Sequence, residues 1–335
     1  MPGEPRCPIN HNTHESQYPM NHETPTPTDI LTIARRAGAV ILQEYNKAVP
    51  AEINWKADDS PLTLADQRSH KLIEAELAAL TPDIPLLSEE GMHTPYAQRR
   101  TWPRFWCVDP MDGTKEFIKK SGQFTVNIAL IEGQKPILGV IYVPALGIAY
   151  FAQRGKGSFR VDGLATSARD GEHGDAGNKE ELGGAGLVGG TGNLRGTGDA
   201  GIEGNAETSG ASDQPSFGVE PIRPKPIQCR PLDLEHLAIV ASKDHAGPAV
   251  KALIDAHPQA QTRSMGSSLK FCLVAEGEAD LYYRDIPTFE WDTAAAHIIV
   301  REAGGTLTKA TGEPLLYNKE NLRNPAILTS GDRHE

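Results

Sequence analysis

The sequence predicts an α/β (α+β) protein built on two sheets, because helical and strand patterns interleave in both halves of the chain. Its 335 residues suffice for two domains of roughly 150 residues each. Between the patterned halves, residues 170–218 hold 15 of the 33 glycines and show no hydrophobic periodicity. That block reads as a flexible insertion at the domain boundary. The expected division is a disordered tail over 1–27, an α+β domain over 28–165, the Gly-rich insertion over 166–226 and an α/β domain over 227–335.

The tail is polar and carries Pro2, Pro5, Pro8, Pro19, Pro25 and Pro27. Thr28 or Asp29 is expected to cap the first helix, with Ile30, Ile33, Ala34, Ala37, Ile41 and Tyr45 as its buried stripe. A second helix is expected after Ser60-Pro61, lined by Leu62, Ala65, Leu72, Ile73, Leu77 and Leu80 and ended by Thr81-Pro82. Short apolar runs at 84–87, 105–108, 125–131, 137–143 and 148–151 read as strands. Pro144-Ala145-Leu146-Gly147 between the last two suggests a hairpin. Beyond the insertion the expected order is strand 237–241, helix 246–256, helix 267–276, strand 279–283 and helix 292–302, closed by Gly304-Gly305.

Composition excludes several classes of function. The formal net charge is −11, and the Gly-rich block supplies most of it, with nine acidic residues against Lys179 and Arg195. An acidic chain without a basic stripe does not suit non-specific nucleic-acid binding. No apolar run reaches the roughly 18 residues of a membrane span, and the N-terminus lacks the basic-then-apolar order of a secretory signal. Cys7, Cys107, Cys229 and Cys272 are scattered without a C-x-x-C pair, so they read as free thiols of a reducing compartment. The expectation is a soluble cytoplasmic protein.

The chemistry concentrates at Val108-Asp109-Pro110-Met111-Asp112-Gly113-Thr114-Lys115-Glu116-Phe117. A strand is expected to end at Val108, and two carboxylates follow it three residues apart. Anions about 4 Å apart repel by roughly 4 kcal/mol at an effective dielectric of 20, a cost a cation would cancel. The N–H groups of a helix starting at Gly113 would favour an anion beside that cation, and Mg²⁺ bridging carboxylates and a phosphate fits both. Taken singly, Asp-Pro and Asp-Gly are ordinary turn dipeptides. Further acidic residues stand at other element ends. Glu89 and Glu90 follow strand 84–87, where the plain alternative is a solvated loop. Asp292 opens a helix, where it could simply cap, and Asp66 in Thr63-Leu64-Ala65-Asp66 fits a capping-box start.

In this order, Asp66, Glu89-Glu90, Asp109-Pro110-Met111-Asp112-Gly113-Thr114 and Trp291-Asp292 resemble the signature of the inositol-monophosphatase superfamily of Mg²⁺-dependent, lithium-sensitive phosphatases. Five segments resemble its 3′(2′),5′-bisphosphate nucleotidases of the CysQ type. They are 56–63, 87–90, Asp112-Gly113-Thr114-Lys115-Glu116-Phe117-Ile118-Lys119, 122–130, and Gly266-Ser267-Ser268-Leu269-Lys270 with the residues to Gly277. Inositol phosphatases usually have Thr-Asn where this chain has Lys115-Glu116. Met111 replaces the usual Ile or Leu, and Ala296 stands where the nucleotidases tend to have Gly. The resemblance covers residues 29–165 and 225–330, and the insertion and tail have no counterpart in it.

The resemblance implies a two-domain αβαβα layered sandwich of the inositol monophosphatase and fructose-1,6-bisphosphatase type, with the site between the domains. It implies removal of the 3′-phosphate of adenosine 3′,5′-bisphosphate (PAP), giving AMP and phosphate. The sulfated form, PAPS, would be a second substrate, in sulfate assimilation and nucleotide recycling. Two or three Mg²⁺ ions per site are implied. Glu89, Asp109 and the Met111 carbonyl would hold the first, and Asp109, Asp112 and Asp292 the second, where Li⁺ would inhibit. Asp66 and Thr114 would orient and deprotonate the attacking water. Substrate contacts are expected from Glu89, Met111, Asp112, Gly113, Thr114 and Asp292. Ser242, His245, Ser267, Ser268 and Lys270 would add to them, with a plain surface lysine as the alternative for Lys270. The implied partner is a small nucleotide, with no nucleic acid and no obligatory protein partner, in a monomer or homodimer. Attachment to the cytoplasmic face of the inner membrane stays open, since some bacterial relatives are assigned there. The competing expectations are an inositol phosphatase, a sugar bisphosphatase, and a catalytically silent PAP sensor.

Overall fold

The computed structural model describes residues 24–47, 53–55, 61–92, 94–164, 223–241 and 247–331. The first half comprises α1 (Pro27–Tyr45), β1 (Ile53–Trp55), β2 (Pro61–Thr63), α2 (Leu64–Leu80), β3 (Leu86–Ser88), α3 (Tyr96–Arg99), β4 (Arg104–Asp112), α4 (Thr114–Ile118), β5 (Thr125–Glu132), β6 (Lys135–Val143), β7 (Ile148–Gln153) and β8 (Gly157–Val161). The second half comprises β9 (Lys225–Ile227), β10 (Ala238–Ala241), α5 (Pro248–Ala256), β11 (Gln261–Ser264), α6 (Leu269–Ala275), β12 (Leu281–Arg284), α7 (Glu290–Glu302), β13 (Thr306–Lys309) and β14 (Ile327–Ser330). The tail up to residue 23 and the Gly-rich block lie outside the described residues.

Helix starts differ from expectation for local reasons. Thr26, not Thr28 or Asp29, caps α1, because Pro27 supplies a preset φ at the first helical position. Asp29 is instead the reciprocal partner, its Oδ2 accepting from Thr26 N–H at 2.9 Å. Helix α2 starts three residues beyond Pro61 because Pro61–Thr63 first pairs with Ile53–Trp55.

Five layers follow from strand alternation. Strands β3 to β9 form a seven-stranded sheet in sequence order. Trp106, Val108, Val126, Ile128, Leu130, Leu138, Val140 and Tyr142 point to the face covered by α1 and α2. Their neighbours Phe105, Cys107, Ala129, Ile131, Ile141 and Val143 point to the opposite core, which they share with α6 and α7. That core is closed on its far side by Ala238, Val240, Tyr282, Leu307 and Ile327 of the five-stranded sheet, ordered β11-β10-β12-β14-β13. The outer face of this second sheet packs Leu237, Ile239 and Leu281 against Leu253 and Ile254 around α5. The result is the αβαβα sandwich, with α6 and α7 as the middle layer.

Strand β9 belongs to the first sheet, pairing with β8 through Arg160↔Lys225. The sequence reading missed β1, β2, β8, β9, β11, β13 and β14. They are short or polar, and Gln261–Ser264 is exposed along its whole length. Cys107, Cys229 and Cys272 are buried, and none of them is in a disulfide. No helix among the described residues is long and apolar enough to cross a membrane.

Helix α7 lies unusually close to β6. A Cβ on Gly139 would stand 2.5 Å from Ile298 Cγ2 and 2.7 Å from the Ala295 carbonyl oxygen. Gly139→Ala is therefore expected to destabilise the fold by about 1–3 kcal/mol, the usual range for overpacking, read as a lower denaturant midpoint at unchanged slope.

Candidate active site

Four carboxylates reach one place because each sits just past a strand, at the bulge or end of β4, or in the first turn of a helix. The Glu89 N–H donates to the Val108 carbonyl at 3.1 Å, which seats Glu89 beside Asp109. Strand β4 does not end at Val108 as expected. It continues to Asp112 through a register shift between Asp109 and Asp112. Pro110 has no N–H to lose at such a bulge, and its carbonyl accepts from the buried Ser69 hydroxyl of α2 at 2.8 Å. Asp109 is 1% exposed, and its Oδ1 accepts from the Met111 N–H at 3.0 Å. Asp292 lies in the first turn of α7, where its Oδ2 accepts from the Phe289 N–H at 2.7 Å. Asp292 is thus not the N-cap expected from sequence: α7 starts at Glu290 after Phe289, and Asp292, at the third helical position, reaches back to the Phe289 N–H, a bond that fixes its carboxylate.

Glu89, Asp109 and Asp292 each offer a ligand oxygen, and these atoms lie within 4.8 Å of one another. Asp112 stands close enough to act on the same group. Burial first, then repulsion from Asp112 and from Glu89, pushes the Asp292 carboxyl up to about 7. An all-oxygen set of mutually repelling carboxylates suits a hard divalent cation. The site residues therefore fit a metal of that class.

A second arrangement sits next to these carboxylates. Gly113 adopts φ +98°, a conformation that favours glycine, and caps α4. The next residue, Thr114, donates from Oγ1 to Asp66 Oδ1 at 3.2 Å. Asp66 is 2% exposed, and its Oδ2 accepts from the N–H and the hydroxyl of Thr63, both at 2.7 Å. The capping box of α2 thus aims Asp66 at Thr114.

Residues of the second half close the site. Ser267 is in the left-handed region at φ +44°, 7% exposed, and its hydroxyl has no hydrogen-bond partner in the protein. Ser268 is 1% exposed and hydrogen-bonded to Asn127 and Asp112. Lys270 is buried, contrary to the surface-lysine alternative. Its Nζ donates to the Ser267 carbonyl at 2.6 Å and lies 5.6 Å from the Tyr282 ring centre. Met111 is 2% exposed within the bulge. Ser242 and His245 lie outside the described residues.

The sequence reading missed several contributors. Arg284, at the end of β12, is largely enclosed and interacts electrostatically with Asp292 and Asp112. The signal for it was a lone basic residue at a strand end. Glu116 is pushed up by burial, with repulsion from Asp112 adding to the effect. Asn127 pairs with Asp109 across β4 and β5. Glu290 is fully buried and accepts from Asn318 N–H at 2.7 Å, Lys319 N–H at 2.9 Å and Lys319 Nζ at 2.7 Å, anchoring the start of α7.

The profile of the Inositol monophosphatase family matches residues 25–185 and 225–333. The 3′(2′),5′-bisphosphate nucleotidase CysQ of Escherichia coli O157:H7 is 39% identical over 302 residues, covering 90% of this chain and 98% of that protein. The protein of the same description from Aggregatibacter actinomycetemcomitans is 31% identical over 302 residues, 90% of each chain. Among solved structures, CysQ from Bacteroides thetaiotaomicron, a bacterial member of the inositol monophosphatase family, aligns with a TM-score of 0.67 at 37% identity. That alignment covers 92% of this chain and 97% of the other. SuhB from Bartonella henselae, at 22% identity and a TM-score of 0.62 over 91% of this chain and 93% of its own, shares the fold.

The raised Asp292 carboxyl has a consequence for stability. Its folded value of about 7 lies above the ordinary value of 3.8, so the folded state binds this proton more tightly. Ionising it as pH rises destabilises the metal-free fold. In chelator, Asp292→Asn should melt higher than the parent, with an advantage that grows from about pH 4 to about pH 7 and levels off above. Saturating divalent cation should reverse the order at pH 8. Melting curves at several pH values, with and without chelator, check this.

Proposed function

The chain belongs to the inositol monophosphatase family, and from that premise we propose that it removes the 3′-phosphate of adenosine 3′,5′-bisphosphate, giving AMP and phosphate. It is a phosphoric monoester hydrolase of the 3′(2′),5′-bisphosphate nucleotidase type, as are the CysQ proteins it matches along nearly their whole length. The observation that carries the mechanism is the convergence of Glu89, Asp109 and Asp292 next to the Thr114–Asp66 pair.

Mg²⁺ is the cation this reading assigns, with Glu89, Asp109 and the Met111 carbonyl holding one ion and Asp109, Asp112 and Asp292 a second. When bound, the ions supply charge neutralisation for a phosphate dianion and lower the pKa of water at the site. Li⁺ would inhibit by occupying the second position. The protein's own part is to hold the ester and to move one proton. A threonine hydroxyl is too weak a base by itself. Because Thr114 already donates to Asp66, its oxygen can accept a proton from the attacking water while its own proton passes to the Asp66 carboxylate. Thr63 holds the other Asp66 oxygen, so the carboxylate need not reorient.

Recognition of a bisphosphate needs donors besides the metals. The unpartnered Ser267 hydroxyl, the buried Lys270 ammonium and the enclosed Arg284 guanidinium are the groups this reading assigns. Gly113 leaves space where a Cβ would stand 3.1 Å from the Gln123 carbonyl oxygen and 3.2 Å from Ser267 Cβ. Ser242 and His245 stay candidates from their place in the sequence, just after the strand that ends at Ala241. PAPS, which carries the same 3′-phosphate, is the second substrate.

Phosphate release from PAP, inositol 1-phosphate and fructose 1,6-bisphosphate, each with Mg²⁺ and with chelator, tests the reading. PAP should be preferred, only with Mg²⁺ present, and added Li⁺ should suppress its turnover. Asp112→Asn should lower kcat by about 100-fold or more with the far-UV spectrum unchanged. Preference for either of the other substrates would overturn the substrate assignment. PAP binding without release would mark a sensor.

A further inference from the structure

We propose that Ser268 is a positioning residue for the second cation site, locking the Asp112 carboxylate in place beside Asp292, and that it makes no contact with substrate. This rests on the cation-binding reading of Asp112 and Asp292 given above.

A serine hydroxyl has one proton to give and two lone pairs to accept with. The Asn127 amide nitrogen donates to Ser268 Oγ at 2.8 Å, so one lone pair is taken. The serine proton has two acceptors in reach, Asp112 Oδ2 at 2.8 Å and the Asp292 carbonyl oxygen at 3.2 Å. The shorter contact goes to a carboxylate, and such charge-assisted hydrogen bonds are the stronger kind. With 1% of its surface exposed, Ser268 has no room left for an ester. Ser267 differs on both counts, since it is strained at φ +44° and its hydroxyl is unpartnered.

The location gives the contact its purpose. Asp112 ends β4 of the first sheet, whereas Asp292 rides on α7 of the middle layer. The two carboxylates repel, since Asp112 is the leading charge raising Asp292. Left to themselves they would turn apart. Ser268, at the start of α6, touches the side chain of one and the main chain of the other. Asn127, itself 1% exposed and paired with Asp109 across the ladder, orients that hydroxyl from behind. One hydroxyl thus ties the positions of both aspartates, together with the strand that carries Asp109.

Groups that orient a metal ligand typically change metal affinity 10–100-fold when removed. Ser268→Ala deletes one oxygen and creates little space. Mg²⁺ alone is the probe, titrated without substrate and followed by tryptophan fluorescence, because Trp291 neighbours Asp292. The Kd for Mg²⁺ should rise about 10–100-fold in Ser268→Ala, while KM for PAP at saturating Mg²⁺ stays within about twofold. Asn127→Ala should weaken Mg²⁺ binding in the same direction, and it decides the matter if the serine variant does not fold. A raised KM for PAP with unchanged Mg²⁺ affinity would make Ser268 a substrate contact and overturn the proposal alone. Wild-type Mg²⁺ affinity in Asp112→Asn would overturn the cation-site reading, and this proposal with it.

Discussion

Glu89, Asp109 and Asp292 place ligand oxygens within 4.8 Å of one another, and Asp112 adds a fourth charge close by. At an effective dielectric of 20, each pair at about 4 Å costs roughly 4 kcal/mol until a cation intervenes. A pocket of this kind holds its shape only if every carboxylate is tethered by something other than its neighbours. Each of three is tied by a backbone group: Asp109 by the Met111 N–H, Asp292 by the Phe289 N–H, and Glu89 through its own N–H on the Val108 carbonyl. Asp112 is held by a hydroxyl instead, that of Ser268 at the N-cap of α6.

The layers exist to keep those tethers in register. Asp109 and Asp112 come from the seven-stranded sheet, and Asp292 from a helix buried between two sheets. Any tilt of α7 would move Asp292 relative to β4. Gly139 lets the helix backbone press directly on β6, and Glu290 binds the loop at 318–319 to the helix start. Rigid packing on one side and a buried ionic anchor on the other leave the first turn of α7 little freedom.

Most of the carboxylate arrangement was legible in the chain because Asp66, Glu89-Glu90, Asp109 to Thr114 and Trp291-Asp292 follow the order of a family signature, whereas each acidic residue alone reads as a cap, a turn or a solvated loop. Asp66 and Asp292 each reach back to the backbone at the start of their helix, and that geometry aims Asp66 at Thr114 and sets Asp292 beside Glu89 and Asp109. Strands β3 to β7 of the first sheet were equally plain as short apolar runs, since the central ones bury both faces. The second sheet was harder. Gln261–Ser264 is polar and exposed, and Thr306–Lys309 has Leu307 as its single apolar residue, so no period of two stands out. Asn127 and Glu290 were invisible for a different reason. Each acts through partners far away in sequence, and a single polar residue among apolar ones carries no spacing by which to recognise it.

The pairing of β8 with β9 also says where this protein can accept new material. Arg160 and Lys225 face each other across neighbouring strands, so the chain leaves and re-enters the sheet about 5 Å apart. The family profile likewise pauses between residues 185 and 225. Because lengthening a connection adds closure entropy only logarithmically, this junction is a natural graft point. A reporter module spliced there would hang from the last strand of the seven-stranded sheet and leave both cores as they are.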